Sequence, residues 1–184
     1  MNQTTQIRFH GRGGQGSVTA AELLAVAAFY DGNFSQAFPN FGVERRGAPV
    51  EAFCRLSNKE IRLREQVQNP DYLIVQDSTL LNDRDVILKG TQKVKGVLIN
   101  TENSDWPGIK NVMTVPATKI ALEKIGKPFI NTALLGAFSA MSGLVTLESL
   151  KKAVSERFSG KVAEGNLAAM EEAYNYVKTN LNNE

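Results

Sequence analysis

The residues best placed to do chemistry are Gly11-Arg12-Gly13-Gly14-Gln15-Gly16, which fit the spacing G-x-G-x-x-G. Glycine at such positions permits positive backbone φ angles and leaves no Cβ to hold a phosphate away from the backbone N–H groups. Ser17 follows, placed to cap a helix and to offer its hydroxyl to the same anion. The helix N-terminus adds partial positive charge there, and Arg12 adds a full one. A dinucleotide site also wants an acidic residue about 20 positions further on. This chain has Gln36 there, with Asp31 too early and Glu44 too late. No Lys-Ser or Lys-Thr follows the glycines, so the loop is not of the Walker type. Two readings stay open: a site for an anion or nucleotide phosphate, and a glycine turn that serves only the fold.

A second cluster is Phe41-Gly42-Val43-Glu44-Arg45-Arg46-Gly47-Ala48-Pro49. Adjacent Arg45 and Arg46 suit a phosphate, or a carboxylate of a neighbouring subunit. The bland alternative is a solvated charge cluster with Glu44 as local partner, which contributes little. Phe34, Phe38 and Phe41 favour a subunit interface, because three aromatics in a polar segment rarely lie exposed on a lone monomer. Other candidates are weaker. His10 ends the first expected strand beside the glycines, and without a visible orienting carboxylate it reads as structural. Cys54 packs rather than reacts, and Trp106 belongs to a turn that caps the core or meets a partner.

Positioning these residues requires a frame, and hydrophobic periodicity supplies one. Residues 6–10 read as a strand and 17–30 as a helix, so strand, glycine turn and helix open a parallel α/β sheet. The stretch 34–49 reads as a long loop. Residues 50–56, the turn Ser57-Asn58-Lys59, and then Ile61 and Leu63 read as an inserted β-hairpin. Buried-type strands follow at 72–76, 96–99 and 112–115, the last leading into a helix that opens at Pro116. Asp77 and Asn100 then lie at carboxyl ends of strands, on the rim where ligands bind in such sheets. The last third reads as helical: Asn131 caps a helix ending at Gly143, and Thr146 caps another reaching about residue 158. Ala133, Gly136, Ala137, Ala140 and Gly143 let another backbone come close to the first of these. In the final helix Ala163, Leu167, Met170, Tyr174, Val177 and Leu181 form an apolar stripe expected to pack on the sheet.

Composition bounds the rest. With 184 residues, 42% hydrophobic and 22% charged, the chain reads as one globular domain over 1–184. Lys and Arg number 21 against 19 acidic residues, a net charge of +2 that gives no reason to expect nucleic acid or a membrane surface as partner. The uncharged run 128–147 spans 20 residues but carries Asn131, Thr132, Ser139, Ser142 and Thr146, too polar for a span. The N-terminus lacks a basic-then-apolar leader, and a soluble cytoplasmic protein is expected. One Cys and one His exclude an internal disulfide, a cysteine-ligated zinc site, an iron–sulfur cluster held by this chain alone, and a multi-histidine metal centre.

Three strings in order carry a resemblance over essentially the whole chain. They are Arg8 to Gly16, Gly42 to Val50, and Asn131-Thr132-Ala133-Leu134-Leu135-Gly136-Ala137-Phe138. Together with Glu164-Gly165-Asn166, they resemble the gamma subunits of the 2-oxoacid:ferredoxin oxidoreductases, of which pyruvate:ferredoxin oxidoreductase (pyruvate synthase) is the type most like this chain. The resemblance implies an accessory subunit of a complex that oxidatively decarboxylates a 2-oxoacid with coenzyme A, giving an acyl-CoA, CO2 and reduced ferredoxin. It implies alpha, beta and delta subunits as partners and ferredoxin as acceptor. Thiamine diphosphate, magnesium and [4Fe-4S] clusters are then carried by other subunits. By the same implication Gly13, Gly14, Gln15, Gly16 and Ser17 contact coenzyme A phosphates, with Arg12, Arg45 and Arg46 as charge partners. Sister enzymes for branched-chain 2-oxoacids, 2-oxoglutarate or indolepyruvate share the Gly-Gly-Gln-Gly core. A stand-alone nucleotide-binding module and a ligand-free scaffold remain as readings of another class.

Overall fold

The computed structural model describes residues 4–40 and 46–182. Strand β1 (Thr5–Arg12) leads into helix α1 (Ser17–Tyr30), then β2 (Phe34–Pro39) and β3 (Pro49–Ser57). Next come β4 (Tyr72–Val75), a 3-10 turn (Ser78–Asn82), the short helix α2 (Arg84–Ile87), β5 (Gly96–Asn100) and β6 (Val112–Val115). Four helices close the chain: α3 (Ala117–Ile125), α4 (Asn131–Ser142), α5 (Leu147–Arg157) and α6 (Gly160–Leu181). The sheet order is β2-β3-β1-β4-β5-β6, with β1, β4, β5 and β6 parallel and β3 antiparallel to both β1 and β2. The α/β class with an inserted hairpin and a helical last third is therefore as expected.

The two sheet faces differ. On one, Ile7, Phe9, Ala52, Cys54, Ile74, Leu98 and Val115 share a core with α1, α3, α4, α5 and α6. On the other, Leu73, Val75, Val97 and Ile99 share a smaller core with Leu80, Leu81, Ile87 and Val94 from short segments, with Leu88, Trp106, Ile109 and Val112 packed against it. Strands β4 and β5 are buried on both faces, which is why they read as unbroken apolar runs. Two buried arginines hold the thinner side together. Arg8 donates to the Ile87 and Lys89 carbonyls at 2.9 and 2.7 Å, while Arg55 reaches Gln6, Gln36 and the Glu65 carbonyl and lies over the Phe38 ring. These carbonyl acceptors offset much of the cost of burying the two guanidinium groups, although Arg8 Nε has no partner among the described residues.

Several expectations change. The segment expected as loop contains β2, and the hairpin pairs β2 with β3, not residues 61–63 with β3. Phe34 and Phe38 satisfy strand propensity, and the pairing places Phe38 on Phe53 with ring centroids 5.1 Å apart. That contact accounts for Phe38 within the chain, so only Phe34 remains an exposed aromatic of the described segment. Phe41 and Glu44 lie outside the described residues. Asn131 is the first residue of α4 rather than its cap. The small residues of α4 meet α6: a Cβ on Gly136 would strike the Met170 backbone carbonyl. Close approach is thus used inside the chain and does not speak for a partner. In α6 the buried face is Asn166, Ala169, Met170, Ala173 and Val177, shifted from the expected stripe because the helix packs chiefly on α4 and α3 rather than on the sheet.

Candidate functional site

The glycine loop joins β1 to α1 at the carboxyl end of the parallel strands, where the alternation of strand directions leaves room for a ligand. Its glycines serve different ends. A side chain at Gly11 would collide with Ser17 and Gln76, whereas Gly14 (φ 97°) and Gly16 (φ 76°) adopt left-handed backbone. Gly16 also lies so close to Asn131 that a Cβ would stand 3.0 Å from Nδ2.

Hydrogen bonds fix the loop from both sides. Gly13 N–H donates to the Ala48 carbonyl (2.9 Å) and Gly47 N–H to the Gly13 carbonyl (3.0 Å), lacing the loop to the segment before β3. Gln15 folds back, its Oε1 accepting from Arg12 N–H at 2.7 Å. Among the described residues no backbone carbonyl takes the N–H of Gly14 or Gly16, and the first-turn amides of α1 have no partner within the helix. These amides, and not that of Gly13, are the donors available to an anion.

The side chains sort less simply than their types imply. Ser17 is buried and its hydroxyl donates to Gln76 Oε1. Helix α1 begins at a left-handed Gly16 without a side-chain cap, so the expected capping by Ser17 does not occur. Arg12 is likewise engaged: its Nε donates to Asp77 Oδ2 at 2.9 Å and its other nitrogens reach Thr79 Oγ1 and the Gly47 carbonyl. Burial raises the Asp77 pKa, but hydrogen bonds from the Thr79 hydroxyl and amide and from Arg12 prevail and hold this carboxyl below its usual range. With Arg12 neutralised by Asp77, Arg46 supplies the exposed cation. Its backbone is bridged to Gly13, and it lines, with Gly14, Gly16, Thr19 and Val50, a cavity of about 530 Å3 beside the loop. Arg45 lies outside the described residues.

Gln76, just beyond β4, is the hub that sequence reasoning missed. It accepts from Ser17, donates to the Gln15 carbonyl, and its own carbonyl accepts from Asn100 Nδ2 at 2.9 Å. Its only signal was its place beside Asp77 on the expected rim. Asn100 joins the rim through Gln76 and Thr118.

His10 has a carboxylate neighbour after all. Glu51, its cross-strand partner, stands 3.5 Å from Nδ1. Burial, and secondarily the charge of Arg8, push the His10 pKa down to about 3, so the imidazole is neutral at pH 7. Burial pushes the Cys54 thiol up, and Trp106 Nε1 donates to the Asn103 carbonyl beside the second core. Among the described residues no three His, Cys, Asp or Glu side chains gather as metal ligands, and none of the helices is long and apolar enough to cross a membrane.

Residues 6–176 match the family described as pyruvate ferredoxin/flavodoxin oxidoreductase. The pyruvate synthase subunit PorC of Methanocaldococcus jannaschii is 55% identical over 170 residues, covering 92% of this chain and 95% of that protein. The common gamma subunit of the pyruvate/ketoisovalerate oxidoreductases of Pyrococcus furiosus is 49% identical, covering 92% and 95%. A solved structure, the pyruvate oxidoreductase subunit PORC of Thermotoga maritima, superimposes with a TM-score of 0.83 at 36% identity, covering 94% of this chain and 96% of the other.

Proposed function

The chain belongs to the pyruvate ferredoxin/flavodoxin oxidoreductase family, and from that premise we propose that it is the gamma subunit of a complex converting pyruvate, coenzyme A and oxidised ferredoxin to acetyl-CoA, CO2 and reduced ferredoxin. Its partners are alpha, beta and delta subunits. Thiamine diphosphate with magnesium and the [4Fe-4S] clusters sit on those chains; the one thiol here, sealed in β3, is too few for a cluster. Such groups supply the carbanion and electron-transfer chemistry; this chain supplies binding and placement.

The observation that carries its part is the glycine loop. Two left-handed glycines with unengaged amides line the same cavity as Arg46, a fit for the phosphates of coenzyme A. Arg12 acts by fixing the loop through Asp77, and Ser17 by fixing it through Gln76. A rigid loop meets an anion without first having to order itself. The Pyrococcus relative, by its name, is common to a pyruvate and a ketoisovalerate enzyme. By analogy the choice of 2-oxoacid is made on another chain, and a branched-chain 2-oxoacid is the second substrate to test.

The test is anaerobic purification of the complex through a tag on this chain, followed by kinetics. The complex should co-purify with thiamine- and cluster-bearing chains and reduce a dye only when both a 2-oxoacid and coenzyme A are present. No protein atom lies within 4 Å of a Cβ added at Gly14. At its φ of 97° a valine also strains the loop backbone, so Gly14→Val both crowds and displaces the loop amides and should raise KM for coenzyme A at least tenfold while KM for pyruvate holds. An unchanged KM for coenzyme A in an intact complex would sink the phosphate role.

A further inference from the structure

Helix α1 has the composition of a helix buried on every side. Of its 14 residues only Glu22 is charged, much as in α4, which has no charge and lies inside the larger core. A helix that is apolar all round belongs where it is covered all round. Yet α1 packs only its inner side, on β2, β3, α4 and α5, and leaves Val26 at 39% and Phe29 at 69% exposure. The neighbouring α5, whose outer side faces solvent, carries Glu148, Lys151, Lys152, Glu156 and Arg157 within 11 residues.

Between α1 and α5 this apolar face becomes a groove. The two helices run antiparallel: Asp31, just past the end of α1, holds Thr146 and Ser149 at the start of α5, while Glu22 and Leu23 share a cavity with Glu156 and Arg157 at its end. That cavity, of about 390 Å3, has Leu23 and Ala153 at its floor, Val26 beside them, and Glu22, Glu156 and Arg157 around it. Its shape is fixed at the Tyr30 end, where the phenol donates to Glu156 and the Lys152 ammonium lies 3.8 Å from the ring centroid. At the other end neither Glu22 nor Arg157 makes an ion pair among the described residues.

We propose that the α1–α5 groove seats an amphipathic helix from another chain of the oxidoreductase complex. The proposal rests on the reading of this chain as a subunit of that complex. Two packed helices offer ridges and grooves into which a third settles, with about 8–10 Å between axes. The apolar side of the occupant, repeating at i, i+3 or i+4 and i+7, covers Val26 and Phe29, and a Lys or Arg on its flank meets Glu22. Apolar and aromatic side chains within a charged rim are the usual anatomy of a subunit contact. A second copy of this chain fits less well, because a two-fold contact through the groove gathers the two carboxylates of each rim against one guanidinium from each. Since α1 starts at the glycine loop, its occupant also sets where that loop stands in the complex.

The complex is purified anaerobically through a tag on this chain, and native mass spectrometry over a dilution series gives the concentration at which the chain dissociates. Lysine forms helix more readily than valine, and at position 26 it stands one turn from Glu22, so the isolated Val26→Lys chain should keep the wild-type Tm. The complex should nevertheless release that variant at a concentration higher by about tenfold or more, whereas Val26→Leu should behave as wild type. A benzophenone side chain in place of Phe29 should cross-link on irradiation to one other chain of the complex. The peptide joined to it should carry apolar residues at helical spacing with a Lys or Arg beside them. Unchanged dissociation of Val26→Lys, or a cross-link to a peptide without that repeat, overturns the proposal while the subunit reading stands. A cross-link to a second copy of this chain gives the groove to a dimer and overturns it as well. If the isolated Val26→Lys chain melts below wild type, the cross-linked peptide alone decides between these outcomes. A wild-type chain that purifies without partners would remove the subunit reading and the docking site with it.

Discussion

His10 shows how far a residue's type can mislead about its task. It ends near the glycine loop, it has a carboxylate 3.5 Å from Nδ1, and yet burial keeps it neutral. Its Nε2 has no partner among the described residues, and protonation there would place a second cation beside Arg8. The consequence is measurable as a pH dependence of stability. With the folded pKa lowered from 6.5 to about 3, the unfolded chain binds the proton more readily, so stability falls as pH drops below about 6.5 and continues to fall toward 3. Chemical denaturation between pH 7 and pH 4.5 should therefore show a slope that His10→Gln flattens. A slope identical in wild type and variant would show that this imidazole does not titrate in that way. The pH profile of the complex between 6 and 8 should not move with His10→Gln, because the group has no titration to contribute there.

Asp31, in the turn after α1, does for α5 what no residue of α5 does alone. Its carboxylate accepts from Thr146 N–H at 2.7 Å and from the hydroxyls of Thr146 and Ser149 at 2.7 and 2.6 Å. Thr146 in turn caps Ser149 N–H, so one acid joins the end of α1 to the start of α5. Burial raises the Asp31 pKa, but the bonds from Ser149 and Thr146 prevail and the pKa is lowered. The stabilisation is thus complete above the ordinary carboxylate range and is lost as pH falls below about 4. Asp31→Ala should cost about 1–2 kcal/mol at pH 7, a fall in Tm of roughly 2–4 °C per kcal/mol for a chain of this size, with the difference shrinking at pH 3. Equal Tm values at pH 7 would deny the cap. The Thr146 cap was legible in the sequence, since Thr is a favoured residue just before a helix; Asp31 was not, because it lies 115 positions away. The same division runs through the site. The glycine spacing, α1 and the rim residues Asp77 and Asn100 follow from local pattern, while the engagement of Arg12 and Ser17 and the hub at Gln76 depend on pairings across the sheet. Strand β2 was missed for that reason too: its residues become a strand only when β3 lies beside them.

At the scale of the molecule, the expected single domain over 1–184 becomes a question of cooperativity, and the core suggests the answer. The larger cluster runs without a break from Ile7 and Phe9 in β1 through Leu98 and Val115 to Met170 and Val177 in α6. Helix α4 mediates: Phe138 meets the Tyr72 ring edge-on at 5.4 Å on the sheet side, while Gly136 opens its other side to the Met170 backbone. Neither the sheet nor the helical third encloses a core without α4, so neither should persist when the other melts. Scanning calorimetry of the isolated chain should give one transition whose calorimetric and van't Hoff enthalpies agree. Gly136→Leu, which drives a side chain into the Met170 carbonyl, should lower the whole transition instead of splitting it, because the loss of α6 uncovers the face of α4 that the sheet depends on. Two resolved transitions, in wild type or in Gly136→Leu, would instead mean that the helical third unfolds as a unit of its own. The glycine loop would then rest on a sheet able to stand without it, although Gly16 is packed against the first residue of α4.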